Sequence, residues 1–552
     1  MLRTASLAPW VGLWLAVGLA WGQSPPGQFE REFQRDPVPR PPPEPIVPPG
    51  AEEHAPAGAA EVRFVLAAVQ VDGVTVYSAA EIRSSYADLL GTEITLARVY
   101  ELAAAFTRKY RNDGYVLSQV VVPQQAIRAG AVRLQAIEGY VASVRIQDEV
   151  LGPRADLDAY TGRIRASRPL HAADLERNLL LINDLAGLTA RATLSPAAEP
   201  GASDLTIDVS QRRARGAIGL SNRGSKSLGP WRVDASGEAY ALFGAFDRTS
   251  VRVIQTVFDP DELTFLTGSY ERPLGSDGLK AIVTGSYVDS TPGPPQNLNL
   301  PTNSVSATAT LLYPIRRARV GNLSVRGTFS YFNGQTDFEG VELSEDRIRA
   351  VRAGLAWDAI DAWRGVNLAD VELSQGLKGL GASPFGSPLA SRAGGRPDFT
   401  KVTLYAARLQ SLAPRWSVLV AVNTQYAFNE LLSPEEFAYG GEQFGRAYDF
   451  AELVGDSGIG FKIDLRYTER TAWPIAREVM PYVFYGIGVV WQRNPQPGED
   501  ARSSAANAGA GVRVTGERGF SGYLEVAKPL TKIVTEEGNK RARVFVAVQL
   551  AF

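Results

Sequence analysis

The chain has 552 residues, a formal net charge of −2, and is 45% hydrophobic and 21% charged. That is too long for one ordinary domain, gives no bulk attraction to nucleic acid or anionic lipid, and fits neither a disordered chain nor a helical membrane protein. With no cysteine and only two histidines, His54 and His171, neither at ligand spacing, disulfides, thiolate chemistry and a histidine or cysteine metal site are excluded.

Residues 1–22 read as a signal peptide. Arg3 supplies the positive region, Leu7 to Leu19 the apolar run, and Ala20-Trp21-Gly22 a small-x-small cleavage site. A membrane anchor is the rival reading, but the run is short for a spanning helix and Pro9 and Gly12 interrupt it. Residues 23–60 read as a spacer. Gln28 to Arg35 can make one or two helical turns, and Pro37, Pro39, Pro41 to Pro43, Pro45, Pro48 and Pro49 then favour extended, solvated chain. Past residue 22 no segment reaches roughly 18 uninterrupted apolar residues, so the mature chain is either soluble or a barrel.

Residues 61–140 change character. Val62 to Val71 predict a strand, and Ser78 with Glu81 a capping box that starts a helix to about Leu90. Leu96, Val99, Ala103, Phe106 and Tyr110 put an apolar stripe on a second helix, ended by Asn112-Asp113-Gly114. Val116 to Val122 and Ala131 to Ile137 predict two strands, so the order is β-α-α-β-β. The same order recurs over 141–211. Val141 to Asp148 is a strand, Arg154 to Ala166 a helix, and Leu175, Leu179, Ile182 and Ala186 stripe the next. Thr189 to Ser195 and Leu205 to Ser210 are strands. Each unit is long enough for a small two-layer α+β domain.

From 212 to 552 the helical period vanishes. Trp231, Val233, Ala235, Gly237, Ala239 and Ala241 alternate with Arg232, Asp234, Ser236, Glu238 and Tyr240. In the last strand Val544, Val546, Val548, Leu550 and Phe552 share one face, and Arg541, Arg543 and Gln549 the other. Apolar outside, polar inside, with period two, is the pattern of a transmembrane barrel around a wet lumen. Backbone in lipid must be fully paired, so the sheet must close. About sixteen antiparallel strands are expected, starting near 213, 230, 249, 262, 278, 303, 321, 346, 365, 399, 416, 456, 480, 506, 519 and 541. A soluble sandwich or propeller also alternates. The signal peptide, the long strands and an aromatic last residue, Phe552, favour the barrel.

No catalytic constellation is present: no G-x-S-x-G, no H-E-x-x-H, no P-loop. His171 lies outside the barrel segment, which closes the Ser-His route, so a non-enzyme without cofactor or metal is expected.

Gly114 to Gln125, read Gly-Tyr-Val-Leu-Ser-Gln-Val-Val-Val-Pro-Gln-Gln, is the most specific string. It resembles the G-Y-x-x-S-x-V-x-x-P-x-Q segment of the first POTRA domain in two-partner secretion transporters, the TpsB family of haemolysin and haemagglutinin secretors. Gly139, after Ile137-Glu138, resembles the V-x-E-G close of that domain. The resemblance covers nearly the whole mature chain and implies two POTRA domains, at 61–140 and 141–211, before a sixteen-stranded barrel at 212–552. It also implies that Gly114, Tyr115, Val116, Val120, Pro123 and Gln125 bind the exported protein.

The long loop from about Leu432 to Val454 holds Gly440-Gly441-Glu442-Gln443-Phe444-Gly445-Arg446-Ala447-Tyr448. It resembles the family's lumen loop with its V-R-G-Y/F motif. Arg446 and Tyr448 match, and Gly445 and Ala447 depart. The family's arginine pairs with the Asp of an F-x-D-x-G strand, but here Phe484-Tyr485-Gly486-Ile487-Gly488 has Gly for that Asp. Alternation aims Ile459, Phe461, Ile463 and Leu465 at lipid and Gly460, Lys462, Asp464 and Arg466 at the lumen, so Asp464 is expected to hold Arg446 instead.

The implied function is export of an unfolded, secreted partner protein with an N-terminal secretion domain, from the periplasm of a Gram-negative cell to its surface. Sequence does not name that partner. Outer-membrane lipid, and the barrel-assembly machinery during biogenesis, are the other expected partners, with Phe552 as the barrel's C-terminal signal. A passive porin, or a POTRA-type barrel-assembly factor, is the alternative. A porin does not need the two N-terminal units, and an assembly factor typically has more of them.

Overall fold

Two alternation periods divide this chain, 3.6 and then 2, and the computed structural model follows them. It describes residues 28–34, 37–39, 55–293 and 300–552. The expected signal peptide, much of the proline-rich stretch and His54 lie outside those residues. The first described element is a single helical turn, α1 (Phe29–Glu32).

The first unit contains β1 (Arg63–Val65), β2 (Ala68–Asp72), α2 (Ala79–Ser84), β3 (Glu93–Thr95), α3 (Leu96–Asn112), β4 (Gln119–Val121) and β5 (Ala131–Ile137). Both arms of the Ser78–Glu81 capping box are formed. The expected strand Val62 to Val71 is two strands. The chain changes partner in mid-run: Leu66 N–H donates to Thr92 O (3.0 Å), and Ala67 N–H to Gly130 O (2.8 Å). β1 thus pairs with β3, while β2, β5 and β4 form a three-stranded sheet in that order. The expected helix to Leu90 stops at Ser84, and a 3-10 turn, Ala87–Leu89, follows. Val99, Ala103, Phe106 and Tyr110 of α3 pack on Val120, Val132, Leu134 and Ala136.

The second unit contains β6 (Tyr140–Gln147), α4 (Arg154–Ala166), α5 (Ala172–Asn183), β7 (Leu188–Pro196) and β8 (Ala202–Gln211). Its sheet order is β6-β8-β7. In both units the last strand is central, parallel to one neighbour and antiparallel to the other. The edges are therefore β2 and β4 in one sheet and β6 and β7 in the other.

β9 (Ala214–Ser221) opens the barrel directly after β8. The strands that follow are β10 (Arg232–Tyr240), β11 (Arg248–Thr256), β12 (Thr264–Pro273), β13 (Lys280–Ser290), β14 (Thr302–Arg316), β15 (Gly321–Phe338), β16 (Val341–Ile360), β17 (Val366–Gly376), β18 (Thr400–Ala413) and β19 (Trp416–Ala427). A short hairpin, β20 (Phe437–Tyr439) and β21 (Leu453–Gly455), interrupts the series. The wall resumes with β22 (Ser457–Tyr467), its two-residue extension β23 (Glu469–Arg470), β24 (Glu478–Trp491), β25 (Arg502–Thr515), β26 (Phe520–Pro529) and β27 (Arg543–Ala551). All neighbours are antiparallel and β27 pairs back onto β9, so sixteen strands close. Each begins within a few residues of its expected start. Val544, Val548 and Leu550 are exposed on the outer face while Phe545 is buried toward the lumen, as the alternation requires.

Candidate functional site

The loop between β19 and β22 does not stay outside. It turns back through a 3-10 turn, Ser433–Glu435, and the β20–β21 hairpin, and fills the bore. Phe437, Tyr439, Phe444, Tyr448 and Leu453 are buried against Tyr405, Ala407, Ala421, Val490 and Ala505 of the wall. Gly440 makes the fold-back possible. Its φ is +134, and a side chain there would overlap the Asp449 carbonyl. Gly440 N–H donates to Phe444 O (3.0 Å), and Gly441 N–H to Tyr448 O (3.1 Å).

Arg446 stands at the tip, 5% exposed, and Asp464 in the wall is 1% exposed. Arg446 Nη2 donates to Asp464 Oδ2 at 3.0 Å, and Arg466 Nη2 donates to the same oxygen at 2.8 Å. The Arg446 guanidinium lies 4.5 Å from the centre of the Phe484 ring. Tyr448 donates to Ala506 O (2.9 Å) on β25. The structure thus brings Arg446, Tyr448, Asp464 and Phe484 together, with Gly440 and Gly441 at the base of the tip.

The place where the resemblance leads one to expect an Asp, Gly486, is occupied. A Cβ on Gly486 would come 3.0 Å from Asn507 Nδ2, and Asn507 donates to Tyr439 Oη at 2.9 Å. On Gly488 a side chain would overlap the Tyr439 ring itself. A tyrosine from the loop fills the space a carboxylate would use, and the carboxylate comes from Asp464.

Sequence reasoning missed Glu525. It is 1% exposed, 3.6 Å from Arg446 Nη1, accepts from Tyr482 Oη (2.7 Å) and also pairs with Arg223. Arg223 in turn donates to Arg446 O (3.0 Å). The signal was available, since Glu525 has the lumen-facing parity between exposed Leu524 and Val526. A second buried centre was missed as well. Glu435 takes Lys401 and Arg352 at 2.6 Å each, and Arg31 at 3.5 Å.

That last arginine belongs to α1, which lies inside the barrel against the loop. Gln28 Nε2 donates to Ser433 O (2.9 Å), and Arg31 Nη1 to Glu436 O (2.6 Å). Glu32 pairs with Arg232 at 2.6 Å. Phe29 is buried among Leu228, Ile254, Leu263, Phe265 and Val288. Two segments, α1 and the folded loop, therefore share the lumen.

In the first unit the string Gly114 to Gln125 has structural duties. Gly114 has φ +95, its carbonyl accepts Ala172 N–H (2.8 Å), and a Cβ would sit 2.5 Å from the His171 ring. Tyr115 stacks edge-on to His171 at 5.3 Å. Both lie in the seam between the two units, and His171 is a seam residue that also caps α5. Val116 precedes the ladder and is half-buried, as is Pro123 just after it. Val120 is buried in the core, and Gln125 clasps Arg133 N–H (2.8 Å) and O (2.7 Å) with its amide. Tyr110 donates to Glu138 (2.8 Å). Burial and that carboxylate push its phenol far above the ordinary range, so it stays a donor.

The free edges differ. Val120 N–H, the outward donor of β4, donates to Thr107 Oγ1 of α3 (2.9 Å), which leaves this three-residue strand no outward N–H in its ladder. On β7, Asn183 takes Ala190 N–H (2.9 Å) and donates to its carbonyl (3.1 Å). Ala192 and Leu194 share the outward parity of Ala190, and their backbone groups have no partner among the described residues.

The model of the haemolysin secretion/activation protein family ShlB/FhaC/HecB matches residues 201–514, and that of the ShlB-type POTRA domain matches residues 64–139. The chain is 22% identical over 460 residues to a heme/hemopexin transporter protein, HuxB, of Haemophilus influenzae, covering 80% of this chain and 79% of that protein. It is 22% identical over 484 residues to the outer membrane transporter CdiB of Dickeya dadantii, covering 82% of each. The solved structure of CdiB from Escherichia coli superposes with a TM-score of 0.72 over the full length of both chains, at 18% identity.

Proposed function

This chain belongs to the haemolysin secretion/activation protein family ShlB/FhaC/HecB, and from that premise we propose which edge of its periplasmic module receives the exported protein. It is an outer-membrane translocator of two-partner secretion, with POTRA domains in the periplasm and a sixteen-stranded barrel in the membrane.

The receiving edge is β7. An extended polypeptide adds to a sheet by meeting unpaired N–H and C=O groups at every second residue. β4 lacks an outward N–H to offer because Thr107 holds that of Val120, and Tyr86 Oη donates to the Val69 carbonyl of the opposite edge, β2 (3.2 Å). β7 offers Ala192 and Leu194, and this difference from β4, the matching antiparallel edge of the first unit, carries the reading. Its outer side chains, Thr189, Arg191, Thr193 and Ser195, are polar and exposed, which suits a hydrated, unfolded guest of varied sequence.

The guest is a secreted partner protein with an N-terminal secretion domain. Transport draws on its folding outside, which removes the emerged chain from the equilibrium by mass action. Outer-membrane lipid covers the exposed valine and leucine face, and the barrel-assembly machinery is the partner during insertion.

The test is Ala192→Pro. Proline removes an outward N–H without touching the β7–β8 ladder, and an edge strand tolerates it. Export should fall at least tenfold, by about the 1.4 kcal/mol that a tenfold change represents, while barrel insertion stays normal. Full export by this variant would remove β7 from the route.

A further inference from the structure

The turn between β10 and β11, residues 241–247, is built to hold one side chain away from the barrel. Phe246 is 1% exposed and sits in the core of the second POTRA domain with Leu157, Tyr160 and Leu179. Gly152 opposes it, where a Cβ would come within 2.6 Å of the ring. The turn is preformed. The Asp247 carboxylate accepts N–H from Phe243 (3.1 Å) and Ala245 (3.2 Å), and Ala241 N–H donates to Asp247 O (2.7 Å). Ala241 (φ 53) and Phe246 (φ 50) are both left-handed, a conformation non-glycine residues hold only where their surroundings impose it.

Polar contacts surround this socket on the next two turns facing the domain. Arg317 makes a two-pronged pair with Asp184 (2.7 and 2.8 Å), and Lys280 Nζ donates to Asp184 O (2.8 Å). Arg163 pairs with Asp277 (2.8 Å). These ion pairs are partly exposed and individually weak. The buried ring is a contact water cannot replace.

We propose that Phe246 is a positioning residue for export: it pins the second POTRA domain to the barrel as one body, so that the uptake edge keeps its place below the barrel mouth while the partner passes. This rests on export through the barrel, and it predicts that no swing of the second domain is needed.

The chain has no cysteine, so introduced thiols read without background. Phe246→Ala should broaden the distance between spin labels on the second domain and the barrel, and lower export by about tenfold or more, since an emptied aromatic site weakens a contact by at least that factor. Phe246→Leu should keep both. The deciding arm is the pair R163C and D277C, joined by a short bismaleimide in the full-length protein in membranes. Joined wild-type protein should export normally, and joining should restore export to Phe246→Ala. Arrest of export by the joined wild type would overturn the proposal, as would normal export by Phe246→Ala. If Phe246→Ala fails to insert, the joined wild type still decides. Failure of the β7 reading shows separately, as full export by Ala192→Pro with the docking distance unchanged.

Discussion

Arg446 and Asp464 are the ion pair at the tip of a loop that Tyr448, Glu435 and Glu525 also tie into the pore. Both are buried, and Asp464 also holds Arg466. Removing the carboxylate takes the ion partner from Arg466 and leaves Arg446 with Glu525 at 3.6 Å, and breaking a buried pair costs ~3–5 kcal/mol. Asp464→Ala is therefore expected to loosen the loop, raise single-channel conductance in planar bilayers and lower export. Unchanged conductance and export would show that Glu525 alone suffices. Gly488→Ala tests the packing beneath Tyr439. Overfilling a tight site costs about 1–3 kcal/mol, so heat-modifiability on gels should shift to lower temperature, and an unshifted transition would mean the ring has somewhere to go. Alternation along β22 made Asp464 legible, because parity alone puts it in the lumen. Glu525 has the same parity but no motif beside it, and only three-dimensional proximity singles it out.

At the scale of elements, α1 is one turn of helix held by contacts and not by its own hydrogen bonds, since so short a helix is not stable alone. Phe29 in its apolar site and Arg31 on Glu435 keep it in the lumen. Deleting residues 28–34 should raise open-channel conductance and leave barrel insertion unchanged. Equal conductance would mean that the loop closes the bore by itself. The barrel strands were legible because lipid on one side and water on the other enforce strict alternation along each strand. The short strands of the first POTRA domain were less so. β1 and β3 are three residues each, and their pairing depends on where the chain changes partner at Leu66 and Ala67, a choice with no local period.

For the whole molecule, the decisive comparison is removal of residues 62–139. A secretor so truncated should lose export of its partner into the medium, whereas a porin would keep its solute flux. Export that survives the deletion would overturn the assignment of uptake to the periplasmic module as a whole. Composition, two helix-sheet units and a long run of alternating strands determined by themselves that this chain closes into a barrel behind a periplasmic module, because hydrophobic period is a local property and lipid admits only closed sheets. That α1 shares the bore with the loop, that Glu525 joins Asp464 at Arg446, why Gly114 and Tyr115 serve a seam between domains, and how Phe246 joins a domain to the wall were decided only by the tertiary structure. Those contacts join residues tens to hundreds of positions apart, and no pattern along the chain encodes which distant surfaces the closed barrel brings within reach.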